Sequence, residues 1–368
     1  MLRPQHRRRH TGRTAALVAA VVATVLATGY SLSGSADTTT TSSATTSSST
    51  SSSTTTSTVP LELHQAGWTI VSESGRGVMV DLRNIDIGGI VYRAIRLRAR
   101  TTLLRWHVGA GDPNLWARAP QDAGPRIDWS SEGHAGVLAV FNGGFKQAAN
   151  AGGAVVDGIT LNPLVKGDMT VVIDRFGHWE MGVWGTPGFP SPGFDPVEYR
   201  QNLGPLVVNG HPALASNSNN PNVWGSPLHN VAAEPRSALG VDAAGNLIYV
   251  ASMQSALAHP LALALAQAGA VTGMELDINP YWPILGAASV ALHAPGGTYA
   301  VQLVNAEHSP NIYDAGWERD FFVALAEPPN WKCQWASAGL RAGLHGAQPQ
   351  PLHIVGVGCP LVKSAPRP

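Results

Sequence analysis

Cysteine is scarce in this sequence, which has two cysteines among 368 residues. Cys333 and Cys359 both lie near the C-terminus, outside the segments that carry the motifs described below, so a thiol enzyme is not expected. A zinc site would need partners such as His345 and His353. A disulfide between Cys333 and Cys359 is the simpler interpretation for an exported chain, because cysteines pair in oxidising compartments.

Charge is also sparse, since charged residues make up 13% of the chain and the formal net charge is zero. Five of the 24 basic residues are arginines within the first 14 residues, which leaves 19 basic residues (24 less 5) against 24 acidic ones. The remainder therefore has a formal charge of −5 (19 less 24) and contains no basic run. Nucleic acid is not an expected partner, because its recognition needs a positive surface.

Motifs typical of metal and nucleophile chemistry are missing as well. The histidines of the central region do not occur at a His-x-x-x-His spacing, and there is no Gly-x-Ser-x-Gly motif. Asp157, Asp168 and Asp174 supply the oxygen ligands that calcium prefers, but their spacing matches no known calcium loop. We expect no required cofactor and no metal, with calcium at these acids as the alternative.

The N-terminal segment has the pattern of an export signal. Five arginines (Arg3, Arg7, Arg8, Arg9 and Arg13) precede an uncharged apolar run at residues 15–32, and small residues follow at 33–36. We interpret residues 1–36 as a signal peptide or as an uncleaved signal anchor. In the second case residues 15–32 would span the membrane with the basic end in the cytoplasm.

A Ser/Thr-rich segment at residues 37–58 predicts a disordered tether, because it has too little apolar surface to fold. A tether after an apolar N-terminal segment places the following domain outside the cytoplasm. We therefore expect a secreted or membrane-anchored protein that faces the cell wall. The tail at residues 330–368 would be held by the disulfide.

The central region, residues 59–329, predicts a strand-rich α+β fold in a single domain of hairpins with few helices. Strands are expected at residues 90–98, 102–108 and 137–141. Hairpins are expected at residues 170–184, 205–214 and 237–250, where turn residues separate apolar runs. One buried helix is expected at residues 260–268, which are almost all Ala and Leu and are followed by Gly269.

Acidic side chains alternate with apolar ones directly after this helix. Residues 273–279 place Met274, Leu276 and Ile278 on one parity of a strand and Glu275, Asp277 and Asn279 on the other. Carboxylates on one face of a pocket raise each other's pKa, which can make one an acid and the other a base. An exposed edge strand with solvated acids is the alternative.

Two further segments combine turn residues with polar groups. Asn142, Gly143 and Gly144 end a buried strand, where glycines can admit a ligand close to the backbone or simply form a tight turn. Arg236 precedes an apolar strand, where its guanidinium can hold a phosphate or form a salt bridge at the rim.

These segments, in this order, resemble the phosphodiester glycosidase family. The resemblance rests on residues 142–145 (Asn-Gly-Gly-Phe), 206–210 (Leu-Val-x-x-Gly), 235–241 (Pro-Arg-Ser-Ala-Leu-Gly-Val) and an Ala-rich helix leading into Leu276-Asp277. It covers about residues 66 to 326. It implies hydrolysis of a sugar-1-phosphodiester, such as one of N-acetylglucosamine, with release of a free sugar and a phosphomonoester.

The resemblance implies roles for individual residues. By the resemblance, Asp277 would be catalytic, and substrate and phosphate would be bound by Asn142, Gly143, Gly144 and Arg236. Glu275 as a second catalytic carboxylate and Asn279 as a further binding residue are predicted from the strand alternation alone, not from the family pattern. The expected partner is a carbohydrate or sugar-phosphate, in a wall polymer if the tether is placed as argued above, and the sequence specifies no oligomeric state.

The chain also departs from the family pattern. Ile278, Asn279 and Pro280 follow Asp277 where the family has Gly-Gly-Gly-Ser. Ile278 crowds the space that glycines leave open, and Pro280 removes an N–H donor. A binding module of the same fold, which holds a cell-wall glycan without cutting it, is therefore the alternative function.

Overall fold

The structure, a computed structural model, describes residues 67–113, 118–120, 123–149, 151–225, 231–303 and 307–326. The predicted signal or anchor, the tether and the disulfide between Cys333 and Cys359 lie outside these residues. Within the described ranges, no helix is long and apolar enough to cross a membrane.

Strands dominate the described part of the chain, and its four α-helices are short. The strands are β1 (Thr69–Ser74), β2 (Gly77–Ile87), β3 (Ile90–Leu97), β4 (Thr102–His107), β5 (Val137–Asn142), β6 (Ala154–Val156), β7 (Ile159–Asn162), β8 (Met169–Asp174), β9 (Trp179–Val183), β10 (Pro196–Gln201), β11 (Val207–Val208), β12 (His211–Pro212), β13 (Glu234–Asp242), β14 (Leu247–Ala256), β15 (Ala270–Ile278), β16 (Leu285–Leu292), β17 (Val301–Leu303) and β18 (Phe321–Ala326). The helices are α1 (Glu132–Ala135), α2 (Pro221–Trp224), α3 (Ala258–Gln267) and α4 (Ile312–Ala315).

These strands form three antiparallel sheets. The large sheet has the order β1-β2-β3-β14-β13-β15-β11-β12. The β8 sheet has the order β7-β6-β10-β8-β9, and the β5 sheet has the order β17-β16-β5-β18-β4. The prediction of a strand-rich fold with few helices is therefore confirmed.

The three predicted hairpins are present. β8 pairs with β9, β11 with β12, and β13 with β14. Asn209 and Gly210 connect β11 to β12 with φ angles of 53° and 78°, the left-handed pair that a tight two-residue hairpin requires. The strands β13 and β14 extend beyond the predicted hairpin, because their mutual pairing continues to Arg236 with Ser252 and, after an irregularity, to Glu234 with Ala256.

The main core brings together side chains from all three sheets. Met274 and Leu276 of β15 belong to the same buried cluster as Trp106 and Phe141 of the β5 sheet and Met169 of the β8 sheet. The prediction that Met274 and Leu276 face a core is therefore confirmed. Because Glu275 and Asp277 are 0% and 4% exposed, the alternative of an exposed edge strand with solvated acids is wrong.

Helix α3 covers the other face of the large sheet. Its residues Leu261 and Leu265 are fully buried in a cluster with Ala238 of β13 and Ile248 of β14. The predicted buried helix is thus confirmed, and its apolar residues face the sheet. Gly269 follows α3 with a φ of +105°, a left-handed conformation that favours glycine at a helix end.

Gly273 of β15 allows α3 to approach the sheet closely. A Cβ atom at Gly273 would lie 2.5 Å from a methyl carbon of Leu265 and 2.8 Å from the carbonyl oxygen of Leu239. The second contact is with backbone, so a side-chain rotation cannot relieve it.

We expect Gly273→Ala to lower the free energy of unfolding by about 1–3 kcal/mol, the usual cost of overpacking a dense core. Urea-induced unfolding followed by circular dichroism measures this change. Gly75→Ala is the matched control, because a Cβ atom there meets no atom within 4 Å. Equal stability of the two variants would contradict the packing argument.

Candidate functional site

The site begins at the end of β5, where Asn142 links the β5 sheet to the large sheet. Its Nδ2 donates to Ser237 Oγ at 2.9 Å, and its Oδ1 accepts a hydrogen bond from the Tyr249 hydroxyl at 2.7 Å. Its Oδ1 also accepts from the backbone N–H of Ile284 at 3.3 Å. Because Asn142 is only 2% exposed, these bonds satisfy an amide that burial would otherwise penalise.

The two glycines after Asn142 are explained by contacts within the protein. A Cβ atom on Gly143 would lie 2.2 Å from a carboxylate oxygen of Asp320, and one on Gly144 would lie 2.7 Å from Asn202 Oδ1. The N–H of Gly143 donates to the carbonyl of Asp320, that of Gly144 to its carboxylate, and that of Phe145 to Asn202 Oδ1. These three amides therefore already have acceptors, so they bind a ligand only if those acceptors move.

Strand β15 contains a bulge at the predicted carboxylates. Glu275 pairs with Ala238 and Ile278 pairs with Arg236, so β15 has one residue more than β13 between these two positions. A bulge interrupts the alternation of side chains and turns the residues after it to the other face.

The two carboxylates accordingly contact different arginines. Glu275 Oε1 accepts a hydrogen bond from Arg236 Nη1, whereas Asp277 Oδ2 accepts one of 2.8 Å from Arg319 Nη2. The expectation that Glu275 and Asp277 share one strand face is thereby corrected. The cause is the extra residue in β15, which alternation from the sequence alone does not take into account.

Glu275 and Arg236 form a buried pair. Glu275 is fully buried and Arg236 is 4% exposed, and Arg236 also donates to the carbonyl oxygens of Ala256 and Ala232, each at 2.8 Å. Each of the three guanidinium nitrogens thus donates to a protein acceptor. Burial raises the pKa of Glu275 to about 7, against the opposing charge of Arg236, and the charge of Asp277 raises it further.

Asp277 and Arg319 form the second pair. Asp277 Oδ1 accepts from the backbone N–H of Ile278 at 2.7 Å and from Asn279 Nδ2 at 3.2 Å. Burial raises the pKa of Asp277, and the charge of Arg319 opposes this rise. Because Asn279 and Arg319 both contact Asp277, the predicted residues Asp277 and Asn279 do lie together.

Arg319 has hydrogen-bonding capacity left over. Its Nη2 donates to Asp277 and, at 2.8 Å, to the carbonyl oxygen of Gly144, whereas its Nε is buried and has no hydrogen-bond partner. Its guanidinium carbon lies 4.9 Å above the ring of Trp282, which shields one side of the charge. Arg319 is therefore the arginine of this region best suited to accept an additional anion.

A third arginine–carboxylate pair, formed by Arg200 and Asp320, contacts the turn at Gly144. Asp320 Oδ2 accepts from Arg200 Nε at 2.7 Å, from Trp106 Nε1 at 3.1 Å and from the Gly144 N–H at 3.3 Å. Arg200 also donates to the carbonyl oxygen of Phe145. Asp320 thus attaches the turn to β4 and β10.

Three residues of this region, Arg319, Asp320 and Arg200, were not predicted from the sequence. Arg319 and Asp320 directly precede the apolar strand β18, and the same kind of signal, an arginine next to an apolar run, selected Arg236, which the structure places within β13. That signal could have identified Arg319. Nothing in the sequence around Arg200 indicates that its partner is Asp320, 120 residues away.

The acids considered for calcium lie in different settings. Asp174 accepts from the backbone N–H of Phe176 and from the ring of His178 in the turn between β8 and β9. Asp157 Oδ1 lies 4.0 Å from Arg105 Nη2. Among the described residues, no group of three or more acidic, histidine or cysteine side chains could hold a metal ion.

A surface cavity of about 380 Å³ is lined in part by the residues that directly precede Arg319. Its lining residues are Ala110, Pro125, Ala315, Gly316, Trp317 and Glu318. None of the residues predicted from the sequence to form the site belongs to this lining.

Comparisons with known proteins show a distant fold relationship. No protein-family model and no curated protein matches the chain. The structure resembles the zebrafish N-acetylglucosamine-1-phosphodiester alpha-N-acetylglucosaminidase catalytic domain auto-inhibited by its pro-peptide, with a TM-score of 0.42 and 14% identity over 71% of this chain and 88% of that one. It also resembles a hypothetical protein from Synechocystis, with a TM-score of 0.43 and 13% identity over 67% and 62% of the two chains. Similarities at this distance assign no activity.

We expect Arg319→Met to lower the free energy of unfolding at pH 7 by about 3–5 kcal/mol, because it leaves Asp277 as an unpaired buried charge. The loss should be smaller at pH 5, where the uncompensated Asp277 carboxyl takes up a proton. Urea unfolding at both pH values measures the difference. The control is the double variant Arg319→Met/Asp277→Asn, which should recover much of the lost stability, and a failure to recover would contradict the pairing.

Proposed function

We propose that this protein is a hydrolase that cleaves a sugar-1-phosphodiester, with Asp277 as the catalytic carboxylate. The observation that carries this proposal is the buried pair of Asp277 and Arg319, in which Arg319 keeps an N–H group without an acceptor. A carboxylate beside a cation with spare donors suits a substrate that has both a reacting sugar carbon and a phosphate.

Arg319 would bind the phosphate. A phosphodiester carries one negative charge, and hydrolysis at the sugar carbon adds a second charge on the departing phosphomonoester. A guanidinium held rigidly by Asp277, Gly144 and Trp282 stabilises that charge without reorganising. Arg319 therefore takes the phosphate-binding role that the sequence predicted for Arg236, because the three guanidinium nitrogens of Arg236 already donate within the protein.

Asp277 would act on the sugar side of the scissile bond. Glycoside hydrolysis commonly uses two carboxylates, one to protonate the leaving group and one as base or nucleophile. A phosphate leaving group departs as an anion and needs little protonation, so one carboxylate and one cation can suffice. A mechanism with one carboxylate is compatible with the bulge, which turns Glu275 toward Arg236 and away from Arg319.

The remaining predicted residues would support these two groups. Asn142 and the N–H of Asp277 both donate to Ser237 Oγ, at 2.9 Å and 3.2 Å, which positions the strand at Asp277. Asn279 donates to Asp277, and Gly144 accepts from Arg319. Glu275 and Arg236 would neutralise each other's charge in the protein interior.

A glycan-binding module that cuts nothing is the second candidate. Ile278 directly follows Asp277 and is packed in one buried cluster with Phe145, Ala151 and Leu203. A side chain fills the space where the resembling family has glycine, and this favours a site that binds the end of a glycan but does not admit the scissile bond. Both candidates are compatible with an exported, wall-facing protein, which the N-terminal sequence predicts.

We expect the full-length protein to release N-acetylglucosamine from an N-acetylglucosamine-1-phosphodiester, and Asp277→Asn to slow this release by about 10²-fold or more. Product release measured by chromatography and binding measured by calorimetry distinguish the two candidates. Asp81→Asn is the matched control, because Asp81 is a buried carboxylate paired with Arg96 and Arg98 away from the site.

The result that supports the hydrolase is turnover by the wild type and by Asp81→Asn but not by Asp277→Asn. Binding by the wild type and Asp277→Asn without turnover by either would establish the binding module instead. Turnover that survives in Asp277→Asn would remove Asp277 from the mechanism.

A further inference from the structure

A second group of buried charges lies outside the proposed site. It consists of Arg105 and His107 on β4, Glu132 on α1 and Glu198 on β10, none of which is more than 4% exposed. Asp128 and Asp157 are the other acids that act on this group. Charges in a protein interior need partners, so the protonation states of these residues are coupled to folding.

Both ring nitrogens of His107 face acceptors. Nε2 lies 2.8 Å from a carboxylate oxygen of Glu132, and Nδ1 lies 2.9 Å from the carbonyl oxygen of Gly124. A neutral imidazole has one donor and would turn a lone pair toward one of these oxygens, whereas the imidazolium donates to both. The ring also stacks on Phe321 with centroids 4.7 Å apart, which fixes its orientation.

Glu198 has the opposite arrangement, since one of its oxygens lacks a donor. Oε2 accepts from the backbone N–H of Trp106 at 3.0 Å. Oε1 is 3.3 Å from Arg105 Nη1 but receives no hydrogen bond there, and it is buried. The loss of water around an ionised Glu198 is incompletely compensated by hydrogen bonds. Protonation of Glu198 therefore removes part of the desolvation cost.

Trp106 connects this group to the proposed site. Its backbone N–H donates to Glu198, and its indole Nε1 donates to Asp320 Oδ2 at 3.1 Å. The same oxygen of Asp320 accepts from the N–H of Gly144. Hydrogen bonds through Trp106 and Asp320 therefore connect Glu198 to the Gly144 turn.

We propose that Arg105, His107, Glu132 and Glu198 form a proton-holding device that makes the folded state, and with it the Gly144 turn, more stable in mildly acidic medium than in alkaline medium. Near neutral pH, folding would raise the proton occupancy of both His107 and Glu198. Its operation does not depend on the proposed hydrolysis.

The pKa directions agree with this geometry. Burial would lower the pKa of His107, but the charge and hydrogen bond of Glu132 outweigh it and raise that pKa above its usual 6.5, although Arg105 opposes this. Burial raises the pKa of Glu198 from 4.5 to about 7, against the charges of Arg105 and His107 and with that of Asp157.

Both shifts have the same consequence for stability. The raised pKa of His107 adds stability that is present below pH 6.5 and is lost as the pH rises through the folded value. The raised pKa of Glu198 means that ionisation costs stability as the pH rises from 4.5 to about 7. At these two groups the folded state therefore binds more protons than the unfolded state, and their contribution to stability falls as the pH rises through neutrality.

The test is urea unfolding of the full-length protein at pH 5.5 and pH 8. We expect the unfolding constant in water to be at least about tenfold larger at pH 8, since each unit of pKa shift corresponds to a tenfold change. Glu198→Gln should reduce the ratio of the two constants about tenfold. Asp81→Asn is the control, which should unfold more easily at both pH values with the ratio unchanged.

A ratio in Glu198→Gln equal to that of the wild type would overturn the proposal. If Glu198→Gln does not fold, NMR titration of His107 in the wild type decides the matter. A midpoint above pH 6.5 supports the device, and a midpoint at or below pH 6.5 refutes it. Neither measurement uses a substrate, so an inactive protein would leave this result intact.

Discussion

The interior of this protein contains several ionised side chains, and their need for partners shapes the site. Asp320 illustrates the constraint, because it is 1% exposed and accepts from Arg200, Trp106 and Gly144. A buried carboxylate is tolerated only when charges and hydrogen bonds replace the water it has lost. Meeting that requirement brings β4, β10, β18 and the turn after β5 to one point.

A single extra residue in β15 determines how the carboxylates are used. Without the bulge, Glu275 and Asp277 would share one face and one electrostatic environment. With it, Glu275 is neutralised by Arg236, and Asp277 is paired with Arg319. The site is therefore built from one carboxylate and one arginine with spare donors, and the chemistry proposed for it follows from that separation.

Local features of the fold were predictable because their causes are local. Asn209 and Gly210 adopt the left-handed conformations that close a hairpin, and the Ala- and Leu-rich residues of α3 end before a left-handed glycine. The partners of the charged residues were not predictable in this way. Arg319 and Asp277 are 42 residues apart, and Arg236 and Glu275 are 39 apart, so only the packing of sheets decides which pairs meet.

The order of apolar and turn residues by itself determined strands β3, β4 and β5, the three hairpins, the buried helix and the burial of Met274 and Leu276, because side-chain periodicity and turn conformation depend on near neighbours. Tertiary structure alone decided where the bulge falls in β15, that Gly143 and Gly144 make room for Asp320 and Asn202, and that Arg319 is the cation beside Asp277. These outcomes depend on the register between strands and on the cost of burying charge. Both arise only when distant segments are packed together.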